Sequence, residues 1–141
     1  CRITVVLGAA APWRNPVTAQ ARQLPWSTRV LVGVDDMADL MANSDLAIGA
    51  AGGTSWERCC LGLPTVMMVL ADNQQEIATA LEGAGAARVV SDGEEELPKL
   101  DLIIRELTEN PMLLLSMITN SARIVDGSGA AMVVRHMEAM R

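Results

Sequence analysis

Five times along these 141 residues, a short apolar, often β-branched run gives way to a turn and then to a helical segment. No other property of the sequence constrains the fold as much. Parallel strands need long crossovers between them, and a helix is the usual one. The strand-like runs are residues 3–7, 28–34, 46–49, 65–70 and 87–90. They are apolar at consecutive positions, as strands covered on both faces are. Helical segments are expected near 15–24, 37–43, 54–60, 73–81, 97–109, 111–125 and 129–140. Gly62 and then Gly83 or Gly85 stop two of them, and Pro111 opens another at its first turn. The expected fold is α/β: a Rossmann-like parallel sheet of five to six strands with helices on both faces. Residues 1–141 are expected to form one domain.

Composition removes several functional classes. Half of the residues are hydrophobic and a fifth are charged, which excludes a disordered tail. The net charge of −6 argues against nucleic acid or an anionic membrane as partner. There are three Trp and no Phe or Tyr, so a base-stacking platform or an aromatic sugar groove is not expected. Nine Met must help fill the core. The stretch 61–71 is broken by Gly62, Pro64 and Thr65 and falls well short of the ~20 residues of a spanning helix. No signal-peptide pattern follows Arg2. Three Cys, two of them adjacent, suit a reduced, cytoplasmic setting and offer neither a disulfide nor a metal site. The chain opens on a strand without a Met, which reads as a piece of something longer.

In parallel α/β sheets, ligands sit beyond the carboxyl ends of the strands. The informative loops are therefore 8–12, 34–37, 50–57 and 70–75. Two of them, Gly8-Ala9-Ala10-Ala11 and Ala50-Ala51-Gly52-Gly53-Thr54, consist almost wholly of small residues. Small residues let a backbone approach a ligand, and amides opening a helix suit anions. Such loops can cradle a diphosphate although neither contains Lys or Arg. Tight turns with no ligand fit the same spacing. Glu57, about one turn into a helix, can accept the two hydroxyls of a ribose or simply favour the helix start. Asn73, Gln74 and Gln75 suit hydroxyl and acetamido groups, or capping and exposure. His136, the only histidine, lies in the last amphipathic helix and reads as a packing or surface residue. Cys59 and Cys60 read as helix packing against the sheet. No nucleophile–base pairing, carboxylate pair or metal spacing emerges. The chain looks equipped to bind more than to react.

The block running from Val34-Asp35-Asp36-Met37 through Ser44-Asp45-Leu46-Ala47-Ile48-Gly49 to Gly52-Gly53-Thr54-Ser55-Trp56-Glu57 and Gly62-Leu63-Pro64 resembles the C-terminal nucleotide-binding half of two-domain GT-B enzymes. Its broad relatives are the MurG-type UDP-N-acetylglucosamine transferases. It is more closely similar to the UDP-sugar hydrolases of pseudaminic acid synthesis and the spore-coat polysaccharide proteins. Asp72-Asn73-Gln74-Gln75, Glu82-Gly83-Ala84-Gly85-Ala86 and Val125-Asp126-Gly127-Ser128-Gly129-Ala130 support that branch.

The resemblance implies a UDP-sugar site and no cofactor or metal. Gly8, Ala9, Gly52, Gly53, Thr54 and Ser55 would hold the diphosphate. The Val34 backbone would meet the uracil edge, Glu57 the ribose, and Asn73 with Gln74 the sugar. The family's catalytic His lies in the N-terminal half, so no catalytic residue is expected here and the chain alone is expected to be inactive. Its partners would be the UDP-sugar and the missing N-terminal domain of the same polypeptide, with weak self-association through the uncovered face. The first reading is a UDP-sugar hydrolase domain acting on a diacetamido-trideoxyhexose in pseudaminic acid or surface-polysaccharide synthesis. The alternatives are a MurG-like transferase half and a degenerate, non-catalytic binding module. The last is favoured by Gly8-Ala9-Ala10-Ala11-Pro12, where the hydrolase branch usually has Gly-Gly followed by Ser or Asp.

Overall fold

A computed structural model describes residues 1–140. The expected alternation is present. The order is β1 (Arg2–Leu7), α1 (Arg14–Ala21), β2 (Ser27–Val32), α2 (Met37–Ala42), β3 (Ala47–Ala50), α3 (Thr54–Cys60) and β4 (Thr65–Val69). There follow α4 (Gln75–Gly83), β5 (Ala87–Ser91), α5 (Leu97–Glu109), α6 (Pro111–Ile124) and α7 (Gly129–Ala139). The chain divides into two compact units, Cys1–Met37 and a second beginning at Ala38.

In the first unit, β1 and β2 pair in parallel, from Arg2 opposite Ser27 to Leu7 opposite Val32. The expectation that the first strand is fully buried is not met: Ile3, Thr4 and Val5 are half-buried and Val6 is exposed. Two strands and one short helix supply too little apolar surface to cover both faces. Helix α1 stops at Ala21, earlier than expected, and its end tightens into three-residue turns. The Gln23 amide donates to Gln20 O at 3.0 Å and the Leu24 amide to Ala21 O at 3.4 Å. Pro25 is the physical reason, because it disfavours helical backbone at the residue before it.

The second unit holds the parallel sheet β3-β4-β5. Alternate β4 residues face opposite ways, so its two faces have different covers. Met67, Ala87 and Val89 pack with Cys59 of α3 and with Ala78 and Leu81 of α4. Val66 and Val90 pack with Leu107 of α5 and Met117 of α6. Helices thus cover both faces, as the consecutive apolar residues of β4 require. Helix α3 ends in a Schellman motif. The Leu63 amide reaches Arg58 O and the Gly62 amide reaches Cys59 O, both at 2.9 Å, with Gly62 at φ +63. Gly85, at φ +67, ends α4 in the same way. Asn110 caps α6, its Oδ1 accepting the Leu113 amide at 3.2 Å ahead of Pro111.

Among the described residues the strands number five, at the lower bound of the expectation, and they form ladders of two and three instead of one sheet. Strand β3 has only four residues, one of them Gly49, and it carries its ladder on β4. Among the described residues no sixth strand forms: residues 92–96 are polar and lead through a 3₁₀ turn into α5. Helix α7 buries none of its residues. No helix among the described residues is long and apolar enough to cross a membrane.

Candidate functional site

Parallel pairing puts the loops after neighbouring strands side by side, so the expected site residues gather in two groups. In the first unit, Leu7 and Val32 are partners, and Gly8 and Gly33 follow them. The Gly33 amide donates to Leu7 O at 3.0 Å, and Gly33 sits at φ +63, which only glycine adopts without strain. A Cβ on Gly33 would lie 3.5 Å from Ala9 Cβ. The turn itself closes through the Ala11 amide on Gly8 O at 3.0 Å. Gly8, Ala9 and Val34 are therefore neighbours at one end of this ladder. A cavity of about 530 Å³ in the same unit lies elsewhere, between α1 and β2. Arg14, Thr18 and Arg22 line it, and none of the expected site residues does.

In the second unit, Ala50 and Met68 are partners, and the Ala51 amide donates to Met68 O at 3.0 Å. The Gly52–Thr54 turn and the segment after β4 thus leave the sheet together. Ser55 is fully buried and bonded within the turn. Its Oγ accepts the Gly52 amide at 3.2 Å, while its own amide donates to Gly52 O at 2.9 Å. The Trp56 amide donates to Gly53 O at 3.2 Å. These bonds leave the amides of Gly53 and Thr54 as the uncommitted donors of the turn. A Cβ at Gly8, Gly52 or Gly53 would meet nothing within 4 Å. None of the three has a positive φ either. The protein's own packing therefore does not require glycine there, whereas close approach by a ligand would.

Glu57 lies one turn further along α3, exposed, and its carboxylate makes no hydrogen bond or ion pair. Asn73 is exposed in the 3₁₀ turn Asp72–Gln74, and its side chain makes no cap. Gln74 is different. Its Oε1 accepts the Leu70 amide at 3.0 Å, which closes the end of β4 and leaves only its NH₂ for a ligand.

Sequence reasoning missed Arg58. Its half-buried guanidinium folds back over the end of β3, donating to Thr54 Oγ1 at 3.1 Å and Ala50 O at 3.4 Å. The signal was present in the spacing: Thr54 and Arg58 are four apart, and helical side chains lean toward the N-terminus. Burial pulls the guanidinium below the usual arginine range, and the neighbouring Glu57 carboxylate partly restores it. The loop 50–54 is thus cationic at one side although it contains no basic residue.

Of the two adjacent cysteines, only Cys59 packs. Cys60 is exposed, because neighbouring helical residues point about 100° apart. Burial raises the Cys59 thiol, while the Ser121 hydroxyl and the Arg58 charge draw it back. His136 is exposed on α7. Among the described residues no three His, Cys, Asp or Glu side chains gather as metal ligands.

Parallel strands with helical crossovers and small-residue turns at the strand ends define an α/β protein of the Rossmann-like class. Residues 13–133 match the model described as glycosyltransferase family 28 C-terminal domain, and the chain belongs to that family. It is 29% identical over 126 residues to the spore coat polysaccharide biosynthesis protein SpsG of Bacillus subtilis, covering 88% of this chain and 37% of that protein. It is 28% identical over 123 residues to the UDP-N-acetylglucosamine–N-acetylmuramyl-(pentapeptide) pyrophosphoryl-undecaprenol N-acetylglucosamine transferase of Chlorobium limicola, covering 82% and 34%. The chain therefore spans about a third of the length of these relatives. Its fold matches MurG of Acinetobacter baumannii with a TM-score of 0.78 at 22% identity, over 98% of this chain and 41% of that one. The glycosyltransferase SsfS6 of Streptomyces sp. SF2575, complexed with thymidine diphosphate, matches with a TM-score of 0.64 at 18% identity, over 98% and 41%.

Proposed function

We propose that the chain is the nucleotide-sugar-binding half of a glycosyltransferase-like protein of polysaccharide or cell-envelope synthesis, taking a UDP-sugar as donor. The observation that carries this reading is the free Glu57 carboxylate one turn beyond a glycine loop, in a member of glycosyltransferase family 28. In this reading the uncommitted amides of Gly53 and Thr54, with Gly52, approach the diphosphate. Ser55 holds the turn in shape from behind. Glu57 accepts the ribose hydroxyls, and Asn73 with the NH₂ of Gln74 meets the sugar. Gly8, Ala9 and the Val34 backbone of the first unit are assigned to phosphate and uracil on the sequence resemblance. The 141 residues act as one binding domain that a further N-terminal part of the polypeptide completes. The exposed apolar residues of α7 are where weak self-association would act.

The hydrolase of pseudaminic acid synthesis, placed first from sequence, has no support among the relatives named above. The family is named for glycosyl transfer, and relatives such as the Chlorobium protein are named as transferases, which favours a sugar acceptor over water. On the sequence resemblance, which puts the catalytic His in the N-terminal half, chemistry is assigned to the other part of the polypeptide.

Calorimetry with UDP, dTDP, GDP and ADP tests the binding reading. UDP is expected to bind at least tenfold more tightly than the purine diphosphates. Equal affinity for all four would remove the uridine assignment. No binding at all would leave the degenerate module. UDP release from UDP-N-acetylglucosamine by this chain alone is expected to be absent, and steady release would place the chemistry in these residues.

A further inference from the structure

A diphosphate brings two to three negative charges, and Glu57 adds another beside it. The loop 50–54 has no cation of its own, and α3, with seven residues, has too few peptide dipoles to offset that charge. Arg58 has the opposite imbalance. Its guanidinium is half-buried, yet the ion pairs among the described residues are Arg88–Glu106, Lys99–Glu96 and Arg105–Asp101, and Arg58 is in none of them. Both oxygens it touches, Ala50 O and Thr54 Oγ1, are neutral. A guanidinium carries five N–H donors, so three are left over. The Glu57 carboxylate acts on this cation only from an exposed position beyond ion-pair distance, so the half-buried guanidinium lacks a close counter-ion, which an arriving anion would supply.

Gly49 shows that the placement is built in. A Cβ there would lie 2.9 Å from Arg58 Nη2, so the strand lacks a side chain where the guanidinium rests. Thr54 Oγ1 accepts from Arg58, which leaves its hydroxyl proton free to donate elsewhere.

We propose that Arg58, seated on Gly49 and held by Ala50 and Thr54, is the cationic contact for the diphosphate of the nucleotide-sugar donor. This inference rests on the nucleotide-sugar reading above. It adds a residue outside the glycine loop that recognises the phosphates and not the nucleoside. Charge-assisted hydrogen bonds to phosphate are strong and geometrically specific for arginine, so lysine restores them only in part.

The test is a ligand ladder of UDP, UMP and uridine against the full chain, by calorimetry and ligand-observed NMR. Arg58→Gln is expected to weaken UDP by about tenfold or more while changing uridine by less than about twofold, and Arg58→Lys to fall between. Gly49→Ala keeps the charge but displaces the guanidinium from its seat. Because only the tip of a flexible side chain must move, the fold should hold, and the same selective loss of UDP is expected. It decides the matter if Arg58→Gln fails to fold. If UDP and uridine weaken equally in these variants, or neither weakens, the Arg58 assignment is wrong while the UDP reading stands. Failure of the unaltered chain to bind UDP at all would overturn both.

Discussion

The Gln74 side-chain carbonyl accepts the Leu70 amide at 3.0 Å, so an amide expected to face a sugar is first a clasp on the end of β4. The adjacent Asn73 makes no such bond. Gln74→Ala should therefore destabilise the fold by about 0.5–1.5 kcal/mol, the net worth of one hydrogen bond. Asn73→Ala should leave stability within about 0.5 kcal/mol. Urea unfolding of the two variants checks this, and equal effects would contradict the division of roles.

Gly62 and Gly83 should respond oppositely to alanine. Gly62 sits at φ +63 at the end of α3, and a Cβ there meets Ile118 Cγ2 at an ordinary 3.5 Å. The cost is thus in the backbone, about 1–2 kcal/mol. Gly83, the last residue of α4, has open space and no positive φ. There alanine should stabilise by up to about 1 kcal/mol. Chemical denaturation of both variants gives the two signs directly.

Burial raises the thiol of Cys59 in the folded chain. A raised folded value means that its stabilising contribution is complete below the unfolded thiol value of about 8.5 and is lost as pH rises through the folded one. Stability should fall more steeply above about pH 8.5 in the natural chain than in Cys59→Ala. Alkylation at pH 8 should label Cys1 and Cys60 quickly and Cys59 slowly. Equal rates at all three positions would show that the core at Cys59 opens easily.

The strand–helix alternation was legible because each element obeys a local rule. The consecutive apolar residues of β4 need a cover on both faces, and the helix stops at Gly62 and Gly85 need left-handed backbone. The division into ladders of two and three was not legible, since it depends on how few ladder positions the four residues of β3 offer. In the site, the glycine turns and Glu57 could be placed from spacing alone, because they follow strand ends. The inward commitment of Ser55 and Gln74 could not, since a side chain's choice between backbone and ligand is made in three dimensions. Arg58 escaped for the same reason: its charge is delivered to a loop it does not belong to.

The proposed uridine nucleotide site depends on Glu57 accepting the ribose hydroxyls. Its most direct test compares UDP with 2′,3′-dideoxy-UDP by calorimetry, on the natural chain and on Glu57→Ala. Hydrogen bonds to a charged acceptor are worth about 1.5–3 kcal/mol. UDP should therefore bind about tenfold or more tightly than the dideoxy compound, and Glu57→Ala should erase that preference with no change in melting temperature without ligand. Equal affinity for the two nucleotides, or a preference that survives in Glu57→Ala, would mean that Glu57 does not hold the ribose.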